Sequence, residues 1–279
     1  MIAVLVLVSA FLHAAWNAQV RREPDKDAAM VAVVAIAWLC TLGVVLIEAL
    51  AGIALAPSSA GLGWAVAAGV GETGYFLALA RALTAGPLAP TYTLARGGAL
   101  IVVWPISIAV LGEGVDGLAI AGAVTVLVGL IVAGAERGLS RAAIGWGAAC
   151  ALCVAGYHLA YQRAVVTGSS EAVTFAIALA LPVALNLARL DATRRAAVRG
   201  RIAEAPLTIL ATGALCAASF LILLVALRGG GAGAVLTLRN TSVLFATALA
   251  WAIGERPGRR AISGATLVAI GAIALGLAR

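Results

Sequence analysis

Charge is scarce in this sequence. Only 11% of its 279 residues are charged, 63% are hydrophobic, and the mean hydropathy is +1.08. An average soluble domain carries about 25% charge. The deficit excludes an ordinary water-soluble enzyme, because surface-to-volume scaling forces much of any chain outward. The solvent that fits is a bilayer. Long polar stretches are lacking too. The longest, Arg189 to Pro206, is too short for a domain and reads as a solvated basic loop, with an anionic-lipid contact as a secondary reading. Cysteine is sparse: Cys40, Cys150, Cys153 and Cys216 all lie in apolar stretches. Cys150 and Cys153 form a C-x-x-C, but no second pair and no nearby cation supports metal or redox chemistry. There is no nucleophile elbow, Walker sequence or zinc quartet. No enzymatic activity, catalytic residue, cofactor or metal is expected. The apolar stretch Ile2 to Val20 lacks the basic start of a signal peptide and reads as a first span.

What is present is apolar length. A spanning helix needs about 20 apolar residues. The breaks predict ten spans, at 2–20, 28–49, 61–83, 88–111, 117–135, 142–163, 172–188, 206–228, 233–253 and 260–278. They lack the alternation of a membrane β-barrel. Helices satisfy their own backbone groups, as lipid demands. The fold class is therefore an all-α polytopic membrane protein.

The net charge of +7 would suggest nucleic acid in a soluble protein. Here the basic residues sort by side, and no nucleic-acid partner is expected. Connections one, three, five, seven and nine hold 14 Arg and Lys residues, and the opposite side holds Arg163, Arg228 and Arg279. The positive-inside rule places the basic connections in the cytoplasm and both termini outside.

The chain repeats itself. The stretch from Tyr75, YFLALARALTAGPLAPTYTLARGGALIVVWPISIAVLGE, resembles that from Phe220, FLILLVALRGGGAGAVLTLRNTSVLFATALAWAIGE. Arg96 aligns with Arg239 and Gly112-Glu113 with Gly254-Glu255, at separations of 143 and 142 residues. Two copies of five helices follow, over 1–138 and 139–279. Five is odd, so the second copy enters the membrane from the opposite side. Inverted repeats commonly build secondary transporters, with the substrate site at the repeat interface.

Ionisable groups inside a span cost about 2.5–3.5 kcal/mol each at the helix centre. Glu72, Arg96, Arg239, His13 and His158 are such groups. One acid against two arginines leaves positive charge, which an anionic ligand would complement. A structural Glu72–Arg96 ion pair is the competing reading. His13, Trp16 and Asn17 share one helical face, as do Tyr157, His158 and Tyr161. They read as two sides of a cavity, or, for Trp16, as part of an interfacial belt. Tyr75, Tyr92 and Asn240 join the candidate substrate-binding set. Gly86, Pro87 and Pro90 precede span four, and Gly229, Gly230 and Gly231 precede span nine. They read as tight turns or as a matched pair of hinges.

FLHAAWNAQVRR, LARGGA…LGE and LTLRNTSVLFATALAWAIGER resemble the EamA family of the drug/metabolite transporter superfamily. The resemblance covers essentially the whole chain. It implies two inverted five-helix repeats around a cavity lined by helices 1, 3, 4, 6, 8 and 9, with 5 and 10 outside. Those helices carry the residues selected above. It also implies export or exchange of small metabolites, such as amino acids, across a bacterial inner membrane. Members are often drawn with cytoplasmic termini, whereas the charge count here places them outside. The function expected is a secondary transporter of a small polar or amphipathic metabolite, with protons as a candidate coupling ion and membrane lipid as surroundings. A flippase-type lipid handler or a non-transporting scaffold is the alternative.

Overall fold

The structure is a computed structural model that describes residues 2–111, 117–137, 139–168, 170–229 and 232–277. Every regular element among the described residues is an α-helix. They are α1 (Ile2–Arg22), α2 (Lys26–Leu50), α3 (Ser59–Ala85), α4 (Leu88–Leu111), α5 (Gly117–Gly134), α6 (Arg141–Val166), α7 (Glu171–Ala188), α8 (Ala192–Glu204), α9 (Pro206–Gly229), α10 (Ala232–Arg239), α11 (Ser242–Ala252) and α12 (Arg259–Leu277). Helices α1, α2, α3, α5, α6, α7 and α9 are long and apolar enough to cross a bilayer. Their outer faces expose Leu46, Ile131 and Leu152 by 60% or more, which lipid tolerates and water penalises. The chain is a multi-pass membrane protein.

Helix starts follow local chemistry. Asp25, Ser58, Ser140, Ser170 and Asp191 each accept a backbone N–H from the first turn of the helix they precede. Pro90 sits in the first turn of α4, where a missing N–H leaves no bond unmade.

Two expectations need correction. Arg189 to Pro206 is not a solvated loop but contains α8. Its alanines and arginines are strong helix formers, and Asp191 caps it. The ninth span is not one helix over 233–253 but two, α10 and α11. Between them the backbone tightens to bonds three residues back, Asn240 N to Thr237 O and Thr241 N to Leu238 O, both 3.1 Å. Thr241 Oγ1 also donates to Leu238 O at 2.7 Å. Short polar side chains that bond nearby backbone compete with a regular helix. Gly112, Glu113, Gly230, Gly231 and Arg279 lie outside the described residues.

Helices from the two halves of the chain pack together: α1 on α9, α3 on α6, α2 on α7, α4 on α11 and α5 on α12. The α5–α12 seam runs on glycine. A β-carbon on Gly129 would stand 2.8 Å from Gly264 O, and one on Gly264 2.7 Å from Gly129 O. Gly122 and Gly271 are reciprocal in the same way, at 2.9 and 2.6 Å. Such close backbone approach is how helices gain van der Waals contact where no hydrophobic force separates them from lipid.

At one end of the bundle, acids gather the arginines. Asp27 meets Arg81, Arg189 and Arg194 at 3.4–3.5 Å. Glu23 pairs with Arg201 and holds that guanidinium's proton more firmly than usual. Arg21 Nε lies 2.6 Å from Glu255 Oε1, while Glu255 Oε2 accepts the Leu88 N–H at 2.8 Å. The opposite end carries Arg228 with Glu171 at 2.7 Å.

Candidate functional site

The polar residues of α1, α3, α4, α6, α9 and α10 meet inside the bundle. His13, Trp16, Asn17, Glu72, Tyr75, Tyr92, Arg96, Tyr157, His158, Tyr161 and Arg239 are all at most 2% exposed, and Asn240 is nearly so. The structure brings the predicted set together.

Arg239 is the most heavily engaged. It ends α10, where the negative helix terminus favours a cation. Nη1 donates to Ser9 Oγ and, at 3.3 Å, to Ser219 O. Nη2 approaches His13 Nδ1 at 3.0 Å, and Trp16 Nε1 donates to the same nitrogen at 3.3 Å. Both partners are donors only, so Nδ1 carries a lone pair. His13 is thereby assigned as the neutral tautomer whose Nε2–H donates to Tyr75 Oη at 3.1 Å. Trp16 is thus an interior donor, not a belt residue.

Aromatic rings join the two halves of the site. Tyr75 meets Tyr157 edge-on at 5.4 Å, and Tyr157 stacks on His158 at 4.4 Å. Phe220 contacts His13, Tyr157 and Phe175, and the Arg239 guanidinium lies 5.5 Å over its ring. Ser9, Ser219, Phe175 and Phe220 were missed from sequence. Ser9 is recoverable, since it falls one turn before His13 on the same face. Phe220 opens the stretch that aligns with Tyr75. Ser219 acts through its backbone carbonyl, which no side-chain pattern reveals.

Arg96 stands apart from Arg239. Its Nε and Nη1 make no hydrogen bond. It lines a cavity of about 20 Å³ with Ala99, Leu100, Val154, His158 and Asn240. That is room for one or two waters. His158 Nδ1 bonds Val154 O at 2.7 Å, leaving Nε2 without a partner. Glu72 does not pair with Arg96. Its carboxylate faces Tyr161 on α6, and neither group makes a hydrogen bond of normal geometry. The structural ion pair between Glu72 and Arg96 is therefore not formed. Asn17 turns its Nδ2 back to His13 O at 2.6 Å.

Of the candidate hinge residues that are described, Gly86 and Pro90 are buried, Pro87 is half-buried and Gly229 is exposed. A β-carbon on Gly86 would approach Ala143 Cβ and Thr91 Oγ1 to 2.8 Å. Gly229 has more room, with Ile2 at 3.5 Å. Among the described residues, no three His, Cys, Asp or Glu side chains come together as a metal site.

Glu72, Arg96 and Arg239 are thus buried ionisable groups in the interior of an apolar helical bundle, where such groups mark functional sites in membrane proteins. The EamA-like transporter family model matches residues 141–277, the second half of the chain. No curated protein sequence matches it. A solved structure titled "Crystal structure of protein" is similar in fold, with a TM-score of 0.64 and 19% identity over 99% of this chain and 96% of that one.

Proposed function

We propose that the protein is a secondary transporter, an exporter or exchanger, for a small polar or amphipathic metabolite bearing an anionic group, such as an amino acid. The observation that carries this reading is Arg96. A permanently charged guanidinium is buried on a cavity with two of its nitrogens unbonded, beside the free Nε2 of His158. Such a group is expensive unless a ligand completes it. The carboxylate of an amino acid does so, and Ala99, Leu100 and Val154, which line the same cavity, meet its apolar part.

The architecture proposed is ten spans in two inverted repeats, 1–138 and 139–279, with α10 and α11 together as the ninth span. Exchange of partners supports it: first helix on eighth span, third on sixth, fifth on tenth. The family match also begins at the start of the second half. The cavity at Arg96 is smaller than a metabolite, so the structure corresponds to a closed state that alternating access must open. Glu72 supplies the proton-sensitive group if transport is proton-coupled. The basic end is assigned to the cytoplasm of a bacterial inner membrane.

The alternatives fit less well. A scaffold needs no unpaired interior arginine. A flippase needs a polar groove open to lipid, whereas the groove between α4, α5 and α6 is lined by Leu94, Ile101, Leu130 and Leu152. Amino-acid counterflow in proteoliposomes, with and without a pH gradient, tests the proposal. Arg96→Gln is expected to abolish transport, and Glu72→Gln to remove any pH dependence. Full counterflow by an Arg96→Gln protein would overturn the site.

A further inference from the structure

We propose that the groove between α7 and α8 binds an anionic phospholipid of the surrounding bilayer. The lipid phosphate sits between Arg195 and Arg199, and an acyl chain lies along Leu187, Leu190 and Val198. The groove is open, about 610 Å³, and lined by those five residues with Asp191 and Ala192.

Charge accounting singles out the two arginines. Arg189 and Arg194 share Asp27, and Arg201 is held by Glu23. Arg195 and Arg199 have no carboxylate partner among the described residues. They are four apart on α8 and so project from one face. The acid nearest them in the groove, Asp191, is occupied in capping α8, accepting the Arg194 N–H at 2.8 Å. Two free cations thus stand over an apolar floor in which Leu190 and Val198 are nearly buried and Leu187 is 36% exposed.

Position supplies the occupant. Helices α7 and α9 are both long and apolar enough to cross the membrane, so α8 between them lies at its surface. A basic, partly apolar helix at that depth meets lipid headgroups. A phosphodiester complements the paired guanidiniums, and the attached chain complements the leucines. A soluble anion would leave the apolar floor uncovered.

The test uses the full chain in nanodiscs of phosphatidylcholine, alone or mixed with phosphatidylglycerol. Phosphatidylglycerol is expected to raise the thermal midpoint of the wild type and to survive as adducts in native mass spectrometry. Arg195→Gln with Arg199→Gln is expected to weaken adduct retention roughly tenfold, and to cancel the rise in midpoint. Its midpoint in pure phosphatidylcholine stays unchanged, because both positions are exposed. Arg163→Gln, at the other end of the bundle, keeps the wild-type response. An undiminished phosphatidylglycerol effect in the double variant overturns the proposal. So does an equal rise from inorganic phosphate, which would make the site one for a soluble anion.

Discussion

Arg239 Nη2 lies 3.0 Å from His13 Nδ1, and that contact ties the second half of the chain to its first helix. Arg96, aligned with Arg239 in the repeat, makes no equivalent bond through Nε or Nη1. The two arginines therefore have different tasks. One holds the bundle together, and the other lines a cavity with Nε and Nη1 unbonded.

Stability separates them. Arg239→Met strips partners from Ser9, the Ser219 carbonyl and His13 at once. Unsatisfied buried groups cost about 1–3 kcal/mol each, so a net loss of about 2–4 kcal/mol is expected. Thermal unfolding in detergent reads this as a drop of several degrees. Arg96→Met removes an unpaired buried charge, so its midpoint stays level or rises. A large loss of stability in Arg96→Met would show that Arg96 is structural.

The contact of Arg21 with Glu255 makes a second prediction. Glu255 both pairs with Arg21 and caps the Leu88 N–H, so it clamps α1, α4 and the α11–α12 connection. Glu255→Ala removes a cap worth about 1 kcal/mol. Amide exchange at Leu88 to Thr91 is expected to quicken several-fold, while exchange at α5 is unchanged. Equal protection at Leu88 in both proteins would show that the clamp contributes nothing.

The glycine seam of α5 and α12 makes a third. Gly264→Ala puts a methyl 2.7 Å from the Ala133 and Gly129 backbones, which cannot yield without parting the helices. Overpacking of this kind costs about 1–3 kcal/mol. Gly43→Ala and Gly145→Ala meet nothing within 4 Å and sit inside helices. They are expected to be neutral or to stabilise slightly, since alanine is the better helix former. The three midpoints, measured side by side, check the contrast.

Phe220 makes a fourth. Its ring contacts His13, Tyr157 and Phe175 and lies under Arg239. Phe220→Leu keeps apolar volume but loses the cation–π contact and the ring pairs. Aromatic pairs contribute about 0.5–1.5 kcal/mol beyond burial. A destabilisation of about 1–2 kcal/mol is expected, with a further fall in transport as Arg239 loosens. Phe11→Leu, on a half-exposed ring paired with Phe245, is the control and stays near wild type.

Sequence by itself determined the solvent, the helical class and most helix limits. Apolar length and scarce charge are local properties, and a bilayer reads them locally. It also determined which ionisable residues lie in the interior, because a charge within an apolar span has few places to go. Tertiary structure decided what each of them does. Arg96 and Arg239 look alike in a sequence alignment, yet one lines a cavity and the other is spent on Ser9, Ser219 and His13. Glu72 faces Tyr161 and not Arg96, because α3 packs on α6. The break at Asn240 and the helix at Ala192–Glu204 also escaped the hydropathy pattern. Both depend on hydrogen bonds and ion pairs, to Leu238 O in one case and to Glu23 and Asp27 in the other, that apolar periodicity does not record.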